Sequence, residues 1–579
     1  MPDRALSAVP QLRFARLFPL ALAALGFALT ACAPATEEPP APPPPPAVVE
    51  LGPEAEAAQA LITAEVLRGP IAELSQDSYG GRGPGSEGDR MTIDYLVQEL
   101  ESIGFEPGMP GGSWEQPFDI VGVEATAPAV WSFQAGDQQV DLAWDTDYIA
   151  SSGVQAERAA IEDAELVFVG YGMQAPEYGW DDFTGADVTG KVLVVMNNDP
   201  DWDPELFEGN RRLYYGRWRY KYEKAAELGA AGAIIMHTTP SAGYGWNVVQ
   251  TSWTGPQFEV PAGDEPRLQI PAWTTEDAMR RLLSAAGHDL DALQESARKP
   301  EFVPVPLGIT TSLELTNTMQ RVETANVIAV LPGGDLADEY VVYSAHHDHI
   351  GISPDESLDD RIYNGALDNA AGVSQLLAMG RAFAALPERP RRSIMLAFVA
   401  AEEQGLLGSA FFAQEPPVAP GKLAANLNFD GGNIWGMNRD VTFIGLGKSS
   451  LDAVVEKFAG EQGRTVLPDQ FPDRGYFYRS DQFNFAKIGV PAIYLDTGTD
   501  FVDQPADWGR EQIEQWTAEK YHQPSDELED DWIWDGMVAD AVLGFRCGLY
   551  IAQQDALPSW NPGDEFEAAR QAALAAVGP

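Results

Sequence analysis

The chain is poor in positive charge. Lys and Arg supply 37 of its 579 residues against 87 Asp and Glu, a formal net charge of −50. A surface of that sign repels phosphate, which excludes nucleic-acid binding and disfavours loose docking on anionic lipid. Most of the acids are read as a solvated surface that keeps the chain soluble. Cysteine is almost missing, with only Cys32 and Cys547. Histidine is scarce at six. No apolar run reaches the ~18 residues that a membrane-spanning helix needs. No Gly-x-Ser-x-Gly elbow occurs, which argues against a serine hydrolase of that type. Apolar residues are not lacking: 45% of the chain is hydrophobic and 10% aromatic, enough for a sizeable core.

The N-terminus accounts for one cysteine. Arg4, Arg13 and Arg16 precede an apolar stretch from Leu17 to Leu29, the layout of a signal peptide. Leu29-Thr30-Ala31-Cys32 resembles a bacterial lipoprotein signal, which implies cleavage before Cys32 and lipidation of its thiol. An ordinary signal peptide cleaved nearby is the alternative. Ala33 follows the cysteine, a pattern that in such lipoproteins implies the outer membrane. Export is therefore expected, with membrane attachment only through Cys32. With Cys32 lipidated, Cys547 has no intrachain partner. Seven of the eight residues from Pro39 to Pro46 are proline, an extended stalk.

Further along, residues 57–68 and 88–103 read as helices, the second with an apolar stripe of Ile93, Leu96, Leu100 and Ile103 and a stop at Gly104. Gly80 to Gly88 is glycine-rich but lacks phosphate-loop spacing, and Gly447-Lys448-Ser449 lacks the upstream glycine, since position 442 is Thr. From 119 to 306 the texture is strand-rich, with many Trp, Tyr and Gly and no group of metal ligands; it reads as a separate inserted domain. His237 and His288 in it read as structural. After residue 307, apolar strands (340–344, 393–399, 424–429, 490–495) alternate with helices, of which 370–385 is the clearest. This predicts an α/β fold with a mostly parallel sheet covered on both faces.

Polar clusters follow these strands: His346-His347-Asp348-His349, then Asn364 to Asn369, Glu402-Glu403, Asp430, and Tyr521 to Asp526. In open α/β sheets ligands bind beyond the carboxyl ends of the strands, so these distant segments are expected to converge. Each alone reads as a turn or a helix cap. Together they offer imidazoles and carboxylates suited to divalent ions. Four of the six His lie within them.

With Gly81 to Gly88 and Arg479-Ser480-Asp481, these segments resemble the di-zinc aminopeptidases of peptidase family M28, which include the glutamate carboxypeptidase group. The resemblance spans most of residues 71–530, and residues 119–306 resemble the protease-associated domain that some members carry as an insertion. With the N-terminal reading, this gives a lipoprotein signal peptide at 1–31 and a Pro-rich linker at 32–50, and the resemblance implies a zinc peptidase domain built from 51–118 and 307–579. It implies two Zn²⁺ ions held by His346, Asp368, Glu403, Asp430 and His522, with Asp368 bridging them. Asp348 resembles the carboxylate that orients His346, Glu402 the general base, and Tyr521 a phenol that steadies the transition state. The implied function is removal of N-terminal residues from peptides by a di-zinc-activated water. A carboxypeptidase, a glutaminyl-cyclase-like enzyme using one zinc, and a non-catalytic binding homologue are the alternatives. His347 and His349 match no ligand position. Gln482 stands where the family usually has His, and Gly431 where Met is frequent. The residue preference and oligomeric state are left open.

Overall fold

The computed structural model describes residues 51–578 except 205, 243, 244, 354 and 355. The signal peptide, Cys32 and the proline tract lie outside the described residues. Among the described residues no helix is long and apolar enough to cross a membrane.

The sheet that carries the polar clusters is mixed. Its centre consists of Arg392–Val399, Leu336–His346, Leu423–Asn428 and Ala492–Thr497, in that order and all parallel. The C-terminal part of the long strand Val305–Leu331 pairs antiparallel with Arg392–Val399 on one side. Asp440–Ile444 pairs antiparallel with Ala492–Thr497 on the other, and Thr465–Pro468 extends that edge in parallel. Every residue of Arg392–Val399 and of Leu423–Asn428 is buried, as expected of strands covered on both faces. Helix Ala371–Ala384 packs on one face and is apolar almost all round, hence buried along nearly its whole length. Helix Asp535–Gln553 lies beside it, with Phe545 against Phe383.

Residues 119 and 306 fall inside strands Glu115–Thr126 and Val305–Leu331, which pair antiparallel from Glu115↔Val327 to Thr126↔Thr316. The intervening segment leaves and returns along this one ribbon. It builds its own parallel core, with Val192–Met196 and Ile270–Thr275 flanking Gly232–His237, and its own apolar clusters around Trp131, Phe168 and Trp273. His237 is buried there against Trp246 and Trp273, and His288 Nε2 lies 3.1 Å from the Leu307 carbonyl. Both serve packing.

Local chemistry moves several boundaries. The helix expected over 57–68 is two, Pro53–Gln59 and Ala64–Leu74, because Thr63 is extended and its hydroxyl accepts the Val66 N–H as an N-cap. Strand Arg158–Phe168 stops before Gly170 and Gly172, both at positive φ. The glycine-rich turn is a close-packing device. A side chain at Gly81 (φ 67) would come within 2.4 Å of the Gly351 carbonyl, and one at Gly88 within 1.6 Å of the Tyr79 carbonyl.

Candidate metal centre

The parallel strands end level with one another. His346 closes its strand opposite Val399, and Ser344 lies opposite Asn428, so Glu402, Glu403 and Asp430 all follow at the same edge. The chain turns sharply after Val399: Ala401 adopts φ 56, and the Asp348 carboxylate accepts the N–H groups of Glu402 (3.1 Å) and Glu403 (3.4 Å). His346 Nδ1 sits 3.3 Å from the Asp348 carbonyl and 3.7 Å from its Oδ1. Asp348 thus holds the imidazole and the glutamate pair together.

Asp368 precedes the buried helix, in an irregular turn whose Asp368–Asn369 peptide is cis. Asp526 accepts the N–H groups of Leu367 and Asp368, fixing that turn. Asn369 ties it to the next segment by donating to the Phe429 carbonyl and accepting from Gly431. His522 stands on a loop at φ 56, a region that favours glycine, and its ring stacks on Tyr521 with centroids 3.8 Å apart.

The result is two half-sites sharing one carboxylate. His346 Nε2 lies 3.2 Å from Asp368 Oδ1 and 3.2 Å from Asp430 Oδ1. His522 Nε2 lies 3.2 Å from Asp368 Oδ2 and 3.0 Å from Glu403 Oε2. Donors held ~2.0–2.1 Å from a tetrahedral zinc sit about 3.3 Å from one another, so both halves fit that ion. The donor chemistry, imidazole with carboxylate and no thiolate, fits zinc as well.

His349 also enters the cluster, as a contact behind a ligand and not as a ligand itself. Its Nδ1 is 2.6 Å from Glu403 Oε1, and His349, Asp368 and Glu403 have donor atoms within 4.8 Å of one another. A 2.6 Å separation is a hydrogen bond, too short for two ligands on one tetrahedral ion, so His349 orients the Glu403 carboxylate. His347 faces away and meets Asp89 at 3.3 Å. Ser480 donates to Asp430 Oδ2 (2.6 Å), while Asn428 donates to both Ser480 Oγ and Gln482 Oε1. Gln482 therefore holds the residues behind Asp430. Gly431 sits at φ 93 with nothing within 4 Å of an added Cβ, so its backbone conformation and not close packing favours glycine there. Arg82, buried beneath the cluster, donates to the carbonyls of His347, Asn364 and Gly365 and draws three segments together.

The electrostatics are those of crowded acids. Burial opposes the charged form of His346, yet the Asp430 and Glu402 carboxylates lift its pKa well above the usual imidazole range. His522 is likewise penalised by burial, but its hydrogen bonds to Asp368 and Glu403 raise it to about 10. Burial raises Asp348 to about 8 and pushes Glu402 well above the carboxylate range. Burial also acts to raise Asp368, but hydrogen bonds from His346 and His522 override it and pull the pKa well down. Bound cations would replace the imidazole protons in this balance. Glu402 differs from its neighbours: among the described residues its carboxylate makes no hydrogen bond or ion pair, although it lies within 4.8 Å of donor atoms on His346 and Glu403.

Parts of the chain resemble known proteins. The chain is 36% identical over 109 residues to a probable zinc metalloprotease of Pyrenophora teres f. teres (strain 0-1), covering 19% of this chain and 23% of that protein. It is 30% identical over 153 residues to the aminopeptidase NAALADL1 of Mus musculus, covering 24% of this chain and 19% of that protein. The chain thus spans about a fifth of the length of these curated relatives. Among solved structures, an aminopeptidase from Aneurinibacillus sp. strain AM-1 aligns over 86% of this chain and 96% of its own, with 18% identity and a TM-score of 0.47. Residues 326–545, which hold every proposed zinc ligand from His346 to His522, match the model of peptidase family M28.

Proposed function

We propose that the chain is a zinc-dependent aminopeptidase that binds two Zn²⁺ ions and hydrolyses the first peptide bond of its substrates. The observation that carries this reading is the Asp368 carboxylate. Each of its oxygens faces a different imidazole–carboxylate pair, His346 with Asp430 and His522 with Glu403. Bound zinc would supply Lewis-acid polarisation of the scissile carbonyl and lower the pKa of the attacking water.

The remaining work falls to side chains. Glu402, uncommitted among the described residues, takes the proton from the attacking water and passes it to the leaving amine. Tyr521 is 39% exposed and raised in pKa by burial and the nearby Asp368 and Glu403, so it keeps its proton and donates a hydrogen bond to the developing oxyanion. His349 and Asp348 hold the Glu403 and Glu402 segments in place. The sequence also supports a lipid anchor at Cys32 and an outer-membrane location; a Cys32→Ser chain that still takes up labelled palmitate would refute the anchor.

The test is turnover of a panel of aminoacyl anilides and dipeptides by zinc-loaded protein lacking residues 1–50, with a chelator control. Activity that chelation abolishes and zinc restores is expected, with a metal content near two per chain. Glu402→Gln should lower kcat by about 10³-fold while retaining the metal. Full activity in that variant, or a panel without turnover, refutes the reading.

A further inference from the structure

Beside the cluster lies a groove with a cavity of about 570 Å³, in the range of ligand sites. The glycine-rich turn, the loop after His349, the long ribbon and the inserted segment form its walls. Two of its lining residues lead directly to the cluster: Gln404 follows Glu403, and Ile350 follows His349. Ile350 and Ile352 are 37% and 55% exposed, large apolar side chains with little covering them. Val322 from the ribbon and Phe258 from the inserted segment, both half-buried, stand in the same groove. Asp77 and Glu87 add negative charge to the lining. At the end nearest Glu403, the Gln404 amide oxygen has no hydrogen-bond partner among the described residues.

We infer that this groove binds the peptide chain downstream of the scissile bond and takes an apolar side chain of the substrate against Ile350, Ile352, Val322 and Phe258. The inference rests on the aminopeptidase reading. Such an enzyme accepts a single residue upstream of the bond, so an extended groove leaving the cluster is of use only to the downstream chain. The apolar walls favour an aliphatic residue, and Asp77 and Glu87 repel an acidic one. Because Phe258 belongs to the inserted segment, that segment takes part in substrate selection. Contacts remote from the reacting bond help to orient it, so longer peptides gain in kcat/KM over anilides.

The experiment uses the zinc-loaded enzyme and leucine-headed peptides of three to five residues. Each downstream position in turn is Leu or Asp, and leucine anilide is the short reference. At one or more positions kcat/KM for Leu should exceed that for Asp by about tenfold or more. In the exposed-site variant Ile352→Asp, or the milder Ile352→Ser, that preference should shrink at least threefold relative to the anilide rate. A wild type indifferent to every downstream residue, or variants whose preference stays unchanged, overturns the groove. A wild type that cleaves neither anilide nor peptide overturns the aminopeptidase reading and the groove with it.

Discussion

Near the C-terminus, Asp564 and Glu565 are buried with Lys448, whose Nζ lies 2.9 Å from a carboxylate oxygen of each. Tyr478 donates to Glu565 and the Phe566 N–H to Asp564, so the acids there are fully engaged. At the strand ends, Asp348, Asp368, Glu402, Glu403 and Asp430 crowd around His346 and His522, and among the described residues none of the five touches a Lys or Arg. One region carries a lysine in direct contact with its acids, while the other has only imidazole protons and the Arg82 guanidinium behind it. In the second, a bound divalent ion would displace the imidazole protons and take over the balance of the five acids.

Replacing Asp368 breaks the comparison most severely. Asp368→Ala should lower bound zinc from two ions to one or fewer and take turnover below detection, as read by metal analysis and anilide assay. Zinc should raise the melting temperature of the native chain but hardly that of this variant. At the other region, Lys448→Met leaves two buried carboxylates without their cation and should cost about 3–5 kcal/mol in urea unfolding at neutral pH, a loss that zinc does not restore. Restoration by zinc would erase the distinction between the two regions. Tyr521→Phe keeps both charge patterns and removes one hydroxyl; a fall in kcat of about 10²-fold with unchanged metal content is expected.

Asp89 sharpens the comparison as a third solution. It is 2% exposed and faces His347, which burial keeps neutral by lowering its pKa to about 3. Burial raises Asp89 to about 6, against hydrogen bonds from Gly85 and Thr324 that favour the charged form. Between pH 3.8 and about 6 folded Asp89 holds a proton that the unfolded residue has lost, so its contribution to stability falls as pH rises through that window. The contribution is at most about 3 kcal/mol. Because His347, lowered in pKa, acts in the opposite sense over the same range, urea midpoints of Asp89→Asn across pH 4 to 7 should rise more with pH than those of the native chain; parallel slopes would remove Asp89 from the comparison.

Much of the strand-end cluster was legible in the order of residues. Short apolar runs such as Arg392–Val399 and Leu423–Asn428 read as buried strands, and polar residues just past such strands fall at one edge whatever the loops between them do. Asp348 beside His346 was legible through the family resemblance, but the longer-range supports were not. His349 orients Glu403 across 54 positions, Asp526 fixes the Asp368 turn across 158, and Asn428 reaches Gln482 across 54. No local periodicity marks such pairs. The groove was invisible for the same reason, since its walls come from segments around 83, 258, 322, 350 and 404. The split at Thr63 needed only local chemistry and was missed because Leu61 and Ile62 continue the apolar pattern through it.

The sequence by itself determined the strand–helix alternation, the acid excess and which residues follow the strands, because burial and side-chain period act over a few residues. Only the tertiary structure decided how the cluster is shared. That Asp368 presents one oxygen to His346 and the other to His522 depends on distances of about 3 Å between residues 22 and 154 positions apart, and packing of the whole sheet sets those distances.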